Sequence, residues 1–265
     1  MATRALSTAA SGMYAQQVNI EVISNNIANV NTTGFKKNKA EFQDLMYQET
    51  QINPQTTDTP GVDTTSANTI LVGTGVQNSS TSKIFTQGDL VNTNNQLDMA
   101  IQGDGFFQIQ KPDGTYVYTR DGSFQTNADG NITTADGFLL DPGLTVDDKV
   151  TSLAIGRDGT VEATQTDGSK FVLGNIELVR FINPAGLKPL GDNLYAATDA
   201  AGTPILGTPG QDGFGDIRQG YLEQSNVDIV EEMVAMISAQ RAYELNSKSI
   251  TTVEDMMTVV NNLQR

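Results

Sequence analysis

The sequence predicts an α+β protein whose long N- and C-terminal helices form a coiled-coil layer, with an all-β central domain inserted between them. Two observations lead to this fold class. Apolar side chains recur every seven residues near both ends of the 265-residue chain, and the middle divides into short segments separated by turn signals. A seven-residue repeat makes a helical stripe that must be buried against another helix. The predicted divisions are an N-terminal helix and following segment (1–46), a polar extension (47–82), an all-β domain (83–216) and a C-terminal helix (217–265).

The N-terminal helix is predicted from an apolar stripe at heptad spacing. The members of this stripe are Leu6, Met13, Ile20, Ile23, Ile27 and Val30. The helix is expected to end near Asn31–Gly34, because Gly34 can adopt the left-handed conformation that follows many helices. Four asparagines lie close to this end: Asn25, Asn26, Asn29 and Asn31. Either they cover a solvated face and cap the helix, or their amides bond to neighbouring helices and fix the register.

Residues 47–82 have the composition of a loop rather than of a packed element. They are rich in Thr, Asn, Gln and Ser, contain Pro54 and Pro60, and include one short apolar patch at Ile70–Val72. The segment is therefore expected to be a long loop, or to become ordered only on contact with another surface.

The region 97–206 is predicted to be β-rich because short alternating segments are separated by turn signals. Asp-Gly occurs eight times in the middle of the chain. It is a strong signal for two-residue hairpin turns, since both residues tolerate positive φ. The expected strands are 105–110 and 115–119, which form one hairpin, and 171–173 and 176–182. Strands at this spacing are typical of a sandwich or a barrel-like domain.

The C-terminal helix is predicted from a second heptad stripe. Its members are Leu222, Ile229, Met236, Tyr243, Ile250 and Met257. Ser225 or Asn226 is expected to cap the start of the helix. The two stripes either pair inside one molecule or build a helical core shared between molecules, and the nearly neutral charge of both ends favours the shared core. In that case the ends are poorly ordered in the monomer and fold on assembly.

Composition excludes several kinds of function. The chain has no His, Cys or Trp, so thiol and imidazole catalysis, disulfides and the usual zinc or haem sites are excluded. With 31 Asp and Glu against 16 Lys and Arg, the net charge of −15 argues against nucleic-acid partners. Residues 46–216 hold 21 of the acidic groups and eight of the basic ones, so the predicted β middle carries the charge. No apolar run is long enough to span a membrane, and no Sec-type signal is visible.

The chemical motifs that remain are weak. Ser80-Thr-Ser-Lys83 has the spacing of a serine–lysine nucleophile but lacks its companion motifs. Asn127, Asp129 and Asn131 are spaced like the first calcium ligands of an EF-hand, but the glycine and the last glutamate of that loop are missing. The sequence therefore predicts no catalytic, cofactor-binding or metal-ligating residue. Besides a structural role, two classes stay open: a β-rich surface adhesin or glycan-binding module, and a hydrolase that uses only carboxylates.

Three long blocks of the chain resemble the bacterial flagellar rod and hook proteins. The blocks are Ser11–Gln17 with Ser24–Lys37, Leu97–Ile109 with Tyr118–Phe124, and Gly220–Asp228 with Met236–Lys248. They follow the order found in that family and span nearly the whole chain. Within the family, the length and the segment Ile70–Val76 are most similar to subunits of the distal rod. The alternatives within the family are a proximal rod or a hook subunit.

The resemblance implies a structural subunit of the flagellar basal-body axis. Members of this family build a helical tube that transmits torque from the motor to the hook and encloses an export channel, with both terminal helices in a coiled-coil inner layer. The two heptad stripes would then form the assembly interface. The implied partners are further copies of the chain, proximal rod and hook subunits, envelope ring proteins and the export apparatus. The implied location crosses the periplasm to the outer membrane, and export proceeds without a cleaved signal peptide.

Overall fold

The computed structural model describes residues 2–51, 69–147 and 150–263 of the chain. Two long helices flank a β-rich region: α1 spans Ala2–Ala28 and α2 spans Ile229–Leu263. The predicted helical ends and β-rich centre are therefore confirmed.

The chain forms two compact units, each assembled from separate stretches of sequence. Unit 1 contains Met1–Asn25, Asn38–Ser82 and Val230–Arg265, and unit 2 contains Asn26–Lys37 and Lys83–Ile229. Each unit therefore combines residues from the first and the last part of the chain.

Both helices differ from the predicted bounds at their inner ends. α1 ends at Ala28, so Val30, the last predicted member of the N-terminal stripe, lies in the following turn. α2 begins only at Ile229. Leu222, the first predicted member of the C-terminal stripe, lies in a strand and pairs with Val91. The prediction that Leu222 lies in a helix is wrong, because heptad spacing alone does not show where the backbone finds its hydrogen bonds, and here they go to a neighbouring strand.

The residues predicted to end α1 and to start α2 have other structural roles. Gly34 adopts the predicted left-handed conformation, with a φ of 68°, but lies well beyond the end of α1. Glycine is needed there because a Cβ atom would lie 2.7 Å from the backbone nitrogen of Asp121. Since α2 begins at Ile229, its N-cap position belongs to the preceding residue, and the prediction of Ser225 or Asn226 as the cap is wrong.

Unit 1 contains two strand pairs in addition to helical segments. β1 (Asn38–Asp44) pairs with β4 (Val76–Lys83), and β2 (Gln48–Gln51) pairs antiparallel with β3 (Thr69–Val72). The prediction of a loop is therefore wrong for the described parts of residues 47–82. Polar composition suggested a loop, but threonine and branched aliphatic residues also suit strands. Residues 52–68, which belong to the same predicted segment, lie outside the described residues.

Within unit 1, α1 approaches α2 at Gly12. A Cβ atom at Gly12 would lie 2.9 Å from the Nδ2 atom of Asn246, so glycine permits the close approach. α1 also contacts β4, because the hydroxyl of Ser11 accepts a hydrogen bond from the backbone N–H of Val76 at 3.2 Å. The glycine in α1 thus has a packing role, although glycine weakens a helix by about 1 kcal/mol relative to alanine.

Unit 2 consists mainly of antiparallel strands. Their bounds are β5 Leu90–Asn92, β6 Met99–Gln102, β7 Phe106–Gln110, β8 Tyr116–Thr119, β9 Gln125–Thr126, β10 Ile132–Thr133, β11 Leu139–Leu140, β12 Val150–Ile155, β13 Thr160–Gln165, β14 Lys170–Asn175, β15 Leu178–Arg180, β16 Lys188–Gly191, β17 Leu194–Ala196, β18 Ile205–Gly207, β19 Asp216–Gln219 and β20 Tyr221–Glu223. The largest sheet has the order β16-β17-β8-β7-β11-β10-β9, and β15 joins it by pairing with β7 and β18. The predicted hairpin between β7 and β8 is confirmed.

Five of the eight Asp-Gly pairs connect adjacent strands of a hairpin. They begin at Asp113, Asp129, Asp136, Asp158 and Asp167. In each pair the glycine has positive φ and its N–H bonds to the carbonyl three residues earlier, whereas the aspartate does not have positive φ. The predicted two-residue turn is therefore wrong in detail. A type I turn followed by a left-handed glycine, the next most common hairpin closure, takes its place.

Two apolar clusters stabilise unit 2. Phe107, Ile109 and Leu178 are fully buried in the larger cluster. The smaller cluster is aromatic, and the rings of Tyr118 and Phe181 pack edge to face with centroids 4.8 Å apart. Each such side chain contributes about 1.5–3 kcal/mol when it is fully buried, so unit 2 has a substantial core of its own.

Candidate assembly interface

The predicted stripe of α1 lies on a partly covered side of the helix. Ile23 is buried, with 5% of its surface exposed. The half-buried members are Leu6, Met13, Ile20, Ile27 and the turn residue Val30. Tyr14, which is outside the stripe, is 62% exposed. The chain itself therefore already covers part of this stripe.

α2 leaves most of its apolar side chains in solvent. Of the predicted stripe, Met236 and Ile250 are half-buried, whereas Ile229, Tyr243 and Met257 are exposed. Val260, at a d position of the same heptad, is also exposed, and the heptad pattern missed further exposed apolar residues: Val230, Met233, Val234, Ile237, Leu245, Met256, Val259 and Leu263. All these exposed apolar residues together are called the α2 face below. Large exposed apolar surfaces of soluble proteins are typical of interaction sites.

The four asparagines near the end of α1 differ in their surroundings. Asn26 is buried, and the half-buried Asn29 accepts a hydrogen bond from a threonine hydroxyl at 3.2 Å. Asn25 and Asn31 are exposed, and the amide oxygen of Asn25 accepts a hydrogen bond from the amide of Asn38 at 3.3 Å. These bonds lie within the chain, so a role in fixing the register between molecules stays a prediction.

Three charged side chains are buried together in unit 2. The Lys36 ammonium lies 2.6 Å from one carboxylate oxygen of Glu223, and the Arg120 guanidinium lies 3.4 Å from the other. The side chains of Lys36 and Glu223 are fully buried, and that of Arg120 is 4% exposed. These three residues are called the charged junction below. Removing one member of such a group leaves an uncompensated charge away from water.

Backbone groups complete the hydrogen bonding of the charged junction. The N–H of Gly88 donates to Glu223 at 3.0 Å, and the Lys36 ammonium donates to the carbonyl of Thr86 at 2.8 Å. Arg120 donates through Nη2 to another backbone carbonyl at 2.8 Å. The single carboxylate therefore receives donors from three different parts of the unit.

Burial dominates the electrostatics of this region. It lowers the pKa of Lys36 and the pKa of Arg120, and in both cases the nearby Glu223 carboxylate opposes that effect. Burial also raises the pKa of the adjacent Tyr195 hydroxyl to about 12. Glu223 is thus the group that stabilises two positive charges in a poorly solvated environment.

The charged junction connects three stretches of unit 2 that are distant in sequence. Lys36 follows α1, Arg120 follows β8 and Glu223 ends β20. Asn226 adds a further link, because its amide oxygen accepts from the N–H of Lys37 at 2.7 Å and its amide nitrogen donates to a backbone carbonyl at 2.8 Å. The arrangement holds the segments next to the two helices to the body of the unit.

Sequence reasoning missed these side chains, since neither charge nor spacing shows which charged residues are buried. A signal was nevertheless present. Lys36 lies in the first block of the family resemblance, Arg120 in the second, and Glu223 and Asn226 in the third. The three blocks that carry the resemblance therefore meet at one buried site.

The described residues 2–51, 69–147 and 150–263 contain no helix that is long and apolar enough to cross a membrane. In the same part of the chain, no cluster of three or more acidic side chains is arranged to hold a metal ion.

Three family models of flagellar axial proteins match the chain. The model described as flagella basal body rod protein matches residues 6–36, and the flagellar hook protein FlgE/F/G D1 domain matches residues 100–163. The flagellar basal body rod FlgEFG protein C-terminal model matches residues 218–263. The three matches cover parts of both helical ends and of the β-rich centre.

Relatives that match almost the whole chain are named flagellar basal-body rod protein FlgG. The protein of Borreliella burgdorferi is 48% identical over 99% of both chains, and that of Agrobacterium fabrum is 46% identical over 97% of this chain and 98% of its own. Flagellar basal-body rod protein FlgF of Caulobacter vibrioides is 36% identical over 89% of this chain and 88% of its own.

Among solved structures, the hook protein FlgE2 of Helicobacter pylori is 15% identical and covers 71% of this chain and 43% of its own, with a TM-score of 0.24. A likeness this weak does not bear on the assignment, which depends on the full-length relatives. The chain therefore belongs to the FlgE/F/G family of flagellar rod and hook proteins, and it is a structural rod subunit most like the distal rod protein FlgG.

Proposed function

We propose that copies of this chain assemble into the distal rod as a helical tube that transmits torque from motor to hook and encloses the export channel. The observation that carries the proposal is the similarity to FlgG proteins over nearly the full length, at 46–48% identity. In this proposal the chain carries mechanical load, and no residue is assigned to catalysis, to a cofactor or to a metal.

The α2 face supports the proposal because it offers apolar surface to a neighbour. Met233, Ile237 and Leu263 are 54%, 57% and 81% exposed. If assembly covers these three side chains, their transfer from water contributes about 2–5 kcal/mol per copy before the cost of ordering is subtracted. In the proposed inner layer, the α2 face packs as a coiled coil on helices of other copies, and the half-buried stripe of α1 completes the contact.

The acidic middle of the chain is proposed to face outward from the helical layer. Residues 46–216 carry 21 acidic and eight basic groups, whereas the two ends are nearly neutral. Outward placement separates like charges, and the near-neutral ends can crowd around a channel without strong repulsion. The proposed contacts are proximal rod and hook subunits, envelope ring proteins and the export apparatus. The proposed location crosses the periplasm to the outer membrane, and export needs no cleaved signal.

Residues 47–82 are proposed to lie between neighbouring copies and to stiffen the tube. The pair β2–β3 and its flank leave Met46, Tyr47 and Leu71 88%, 57% and 60% exposed, which provides contact surface. Deletion of residues 52–68 should give tubes with a shorter persistence length in electron micrographs. Replacement of these residues by a Gly-Ser segment of equal length separates the effect of length from that of side chains. An unchanged persistence length in both variants contradicts the proposal.

Electron microscopy of the purified chain tests the proposed function directly. Wild-type protein is expected to form tubes of regular helical symmetry above a critical concentration. Ile229→Asp, which places a charge on the α2 face, serves as the non-assembling comparison. A wild-type chain that remains monomeric throughout the soluble range would contradict a tube-forming role.

A further inference from the structure

Methionine is concentrated on α2, the helix that leaves most of its apolar side chains in solvent. Four of the eight methionines of the chain lie on this helix: Met233, Met236, Met256 and Met257. Met236 is half-buried. The other three belong to the α2 face and are 54%, 58% and 46% exposed, in chain order. A large part of each of these three residues is therefore open to small molecules in solution.

The chain offers oxidants sulfur only in the form of thioethers. Two-electron oxidants such as peroxides attack the sulfur atoms of Cys and Met, and exposure makes the attack faster. Cys is absent from the sequence, so the methionines are the sulfur targets that remain. Met99, in contrast to the α2 face, is fully buried in the larger apolar cluster of unit 2. Peroxide should therefore reach the methionines of the α2 face well before it reaches Met99.

Oxidation changes the chemical character of a methionine at an apolar contact. The thioether sulfur uses a lone pair to take one oxygen atom from hydrogen peroxide. The O–O bond breaks, an S–O bond forms and water leaves, so that sulfur is oxidised by two electrons and the peroxide is reduced by two. The product is methionine sulfoxide, which is polar and disrupts methionine-rich contacts. Methionine sulfoxide reductases reverse the change.

We propose that Met233, Met256 and Met257 are oxidation sites of the unassembled subunit, and that a peroxide-class oxidant blocks assembly reversibly by converting them to sulfoxides. The proposal rests on the proposed function, in which other copies cover the α2 face. Assembly then shields the three thioethers from the oxidant, and their oxidation weakens the binding of the free subunit to the tube. The two effects are linked, because the same side-chain surface is open in the free subunit and covered in the tube.

The first experiment treats the free chain and assembled tubes with hydrogen peroxide and follows each methionine by peptide mass spectrometry. In the free chain, the three exposed methionines of α2 are expected to oxidise at least about tenfold faster than Met99. In tubes, their rates are expected to fall at least about tenfold, because neighbouring copies cover them. Equal rates for Met99 and the α2 face in the free chain overturn the proposal, and so do α2 rates that assembly leaves unchanged.

The second experiment measures the critical concentration for tube formation before and after treatment with hydrogen peroxide. The critical concentration of the wild-type chain is expected to rise at least about tenfold, because sulfoxides replace apolar groups at the contact. Incubation of the oxidised chain with methionine sulfoxide reductases of both stereospecificities and a thiol reductant should restore the starting value. A rise that the reductases do not reverse overturns the proposal.

Two variants locate the effect. One replaces all four methionines of α2 by leucine, which keeps volume and apolar character, so peroxide should change its critical concentration by less than about twofold. The other is Met46→Leu, the matched control, because Met46 is 88% exposed but lies outside α2. It should remain as sensitive to peroxide as the wild type. If the four-leucine variant does not assemble even untreated, the rates in tubes and the reversal by reductases decide.

The outcomes separate this proposal from the proposed function. If the wild-type chain forms tubes and peroxide leaves its critical concentration within about twofold, the proposed function stands and the proposed oxidation block is wrong. Persistent sensitivity of the four-leucine variant, or protection by Met46→Leu alone, places the effect outside α2 and has the same consequence. If the untreated wild-type chain forms no tubes, the proposed function fails, and the oxidation block fails with it.

Discussion

The two units of the molecule treat apolar side chains in opposite ways. In unit 2, Phe107, Ile109 and Leu178 are fully buried, and strands and edge-to-face rings surround them. In unit 1, α2 leaves side chains such as Ile237 and Leu263 57% and 81% exposed. Unit 2 therefore completes its own core, whereas α2 leaves many apolar side chains in solvent, where the proposed assembly would cover them. Under the proposed function, the β-rich unit stabilises the single molecule and the helices stabilise the assembly.

The largest expected effect concerns the stability that unit 2 has within the single molecule. Glu223→Gln leaves Lys36 and Arg120 buried without a compensating charge, so the free energy of unfolding should fall by about 3–5 kcal/mol. Chemical denaturation followed by circular dichroism measures this change. Glu177→Gln, which removes an exposed carboxylate of the same unit, should change the free energy by less than about 0.5 kcal/mol. A loss below 1 kcal/mol for Glu223→Gln would show that the charged junction is not a major source of stability.

The next prediction tests whether the helices depend on neighbours. If α2 is ordered only on assembly, amide hydrogens of α2 in the monomer should exchange at least about a hundredfold faster than those of β7 and β8, a difference of about 2.7 kcal/mol. Assembly should remove most of this difference. Hydrogen exchange with mass spectrometry on monomer and tube provides both values. If the amides of α2 and β7 are equally protected from exchange in the monomer, the proposed difference between the units is wrong.

A charge on the α2 face should affect assembly but leave the β-strands of unit 2 folded. Ile229→Asp is expected to raise the critical concentration for tube formation at least about tenfold, or about 1.4 kcal/mol, because burying an unpaired carboxylate is costly. The same substitution at Ile20 in the half-buried stripe of α1 should also block incorporation. Thr251→Asp, at an exposed polar position of α2, is the matched control and should assemble normally. Sedimentation of tubes measures all three variants, and normal assembly of Ile229→Asp would refute the role of the α2 face.

The smallest expected effect concerns the local turns of unit 2. The Asp167 carboxylate accepts hydrogen bonds from the hydroxyl and the N–H of Ser169, at 2.6 and 2.9 Å, and these bonds lower the pKa of Asp167 below 3.8. Ser169→Ala removes the hydroxyl bond and should therefore raise the pKa of Asp167 in an NMR titration. Because the folded pKa is lowered, the turn contributes stability at pH values above the unfolded pKa, and this stability is lost as the pH falls through the folded pKa. Ser238→Ala, on α2, should leave the pKa of Asp167 unchanged, and equal values for both variants would contradict the prediction.

Much of the fold was predictable because the relevant signals are local. Heptad spacing predicted both helices, and Asp-Gly pairs predicted five hairpin connections, since a helix face and a tight turn each depend on residues close together in the chain. The predictions were wrong where the structure depends on contacts that composition and spacing do not show. Leu222 fits the heptad but lies in a strand, and part of the polar extension forms β2, β3 and β4.

The candidate site also has one part that was predictable from the sequence and one part that was not. The apolar stripes could be read from the sequence because their periodicity is a property of one helix. The charged junction could not, because Lys36, Arg120 and Glu223 are separated by up to 187 residues, and only the folded chain shows which of its many charges are removed from water. Local periodicity and turn chemistry thus set the elements of this protein. Long-range packing determined which charges became buried partners and which apolar side chains remained exposed.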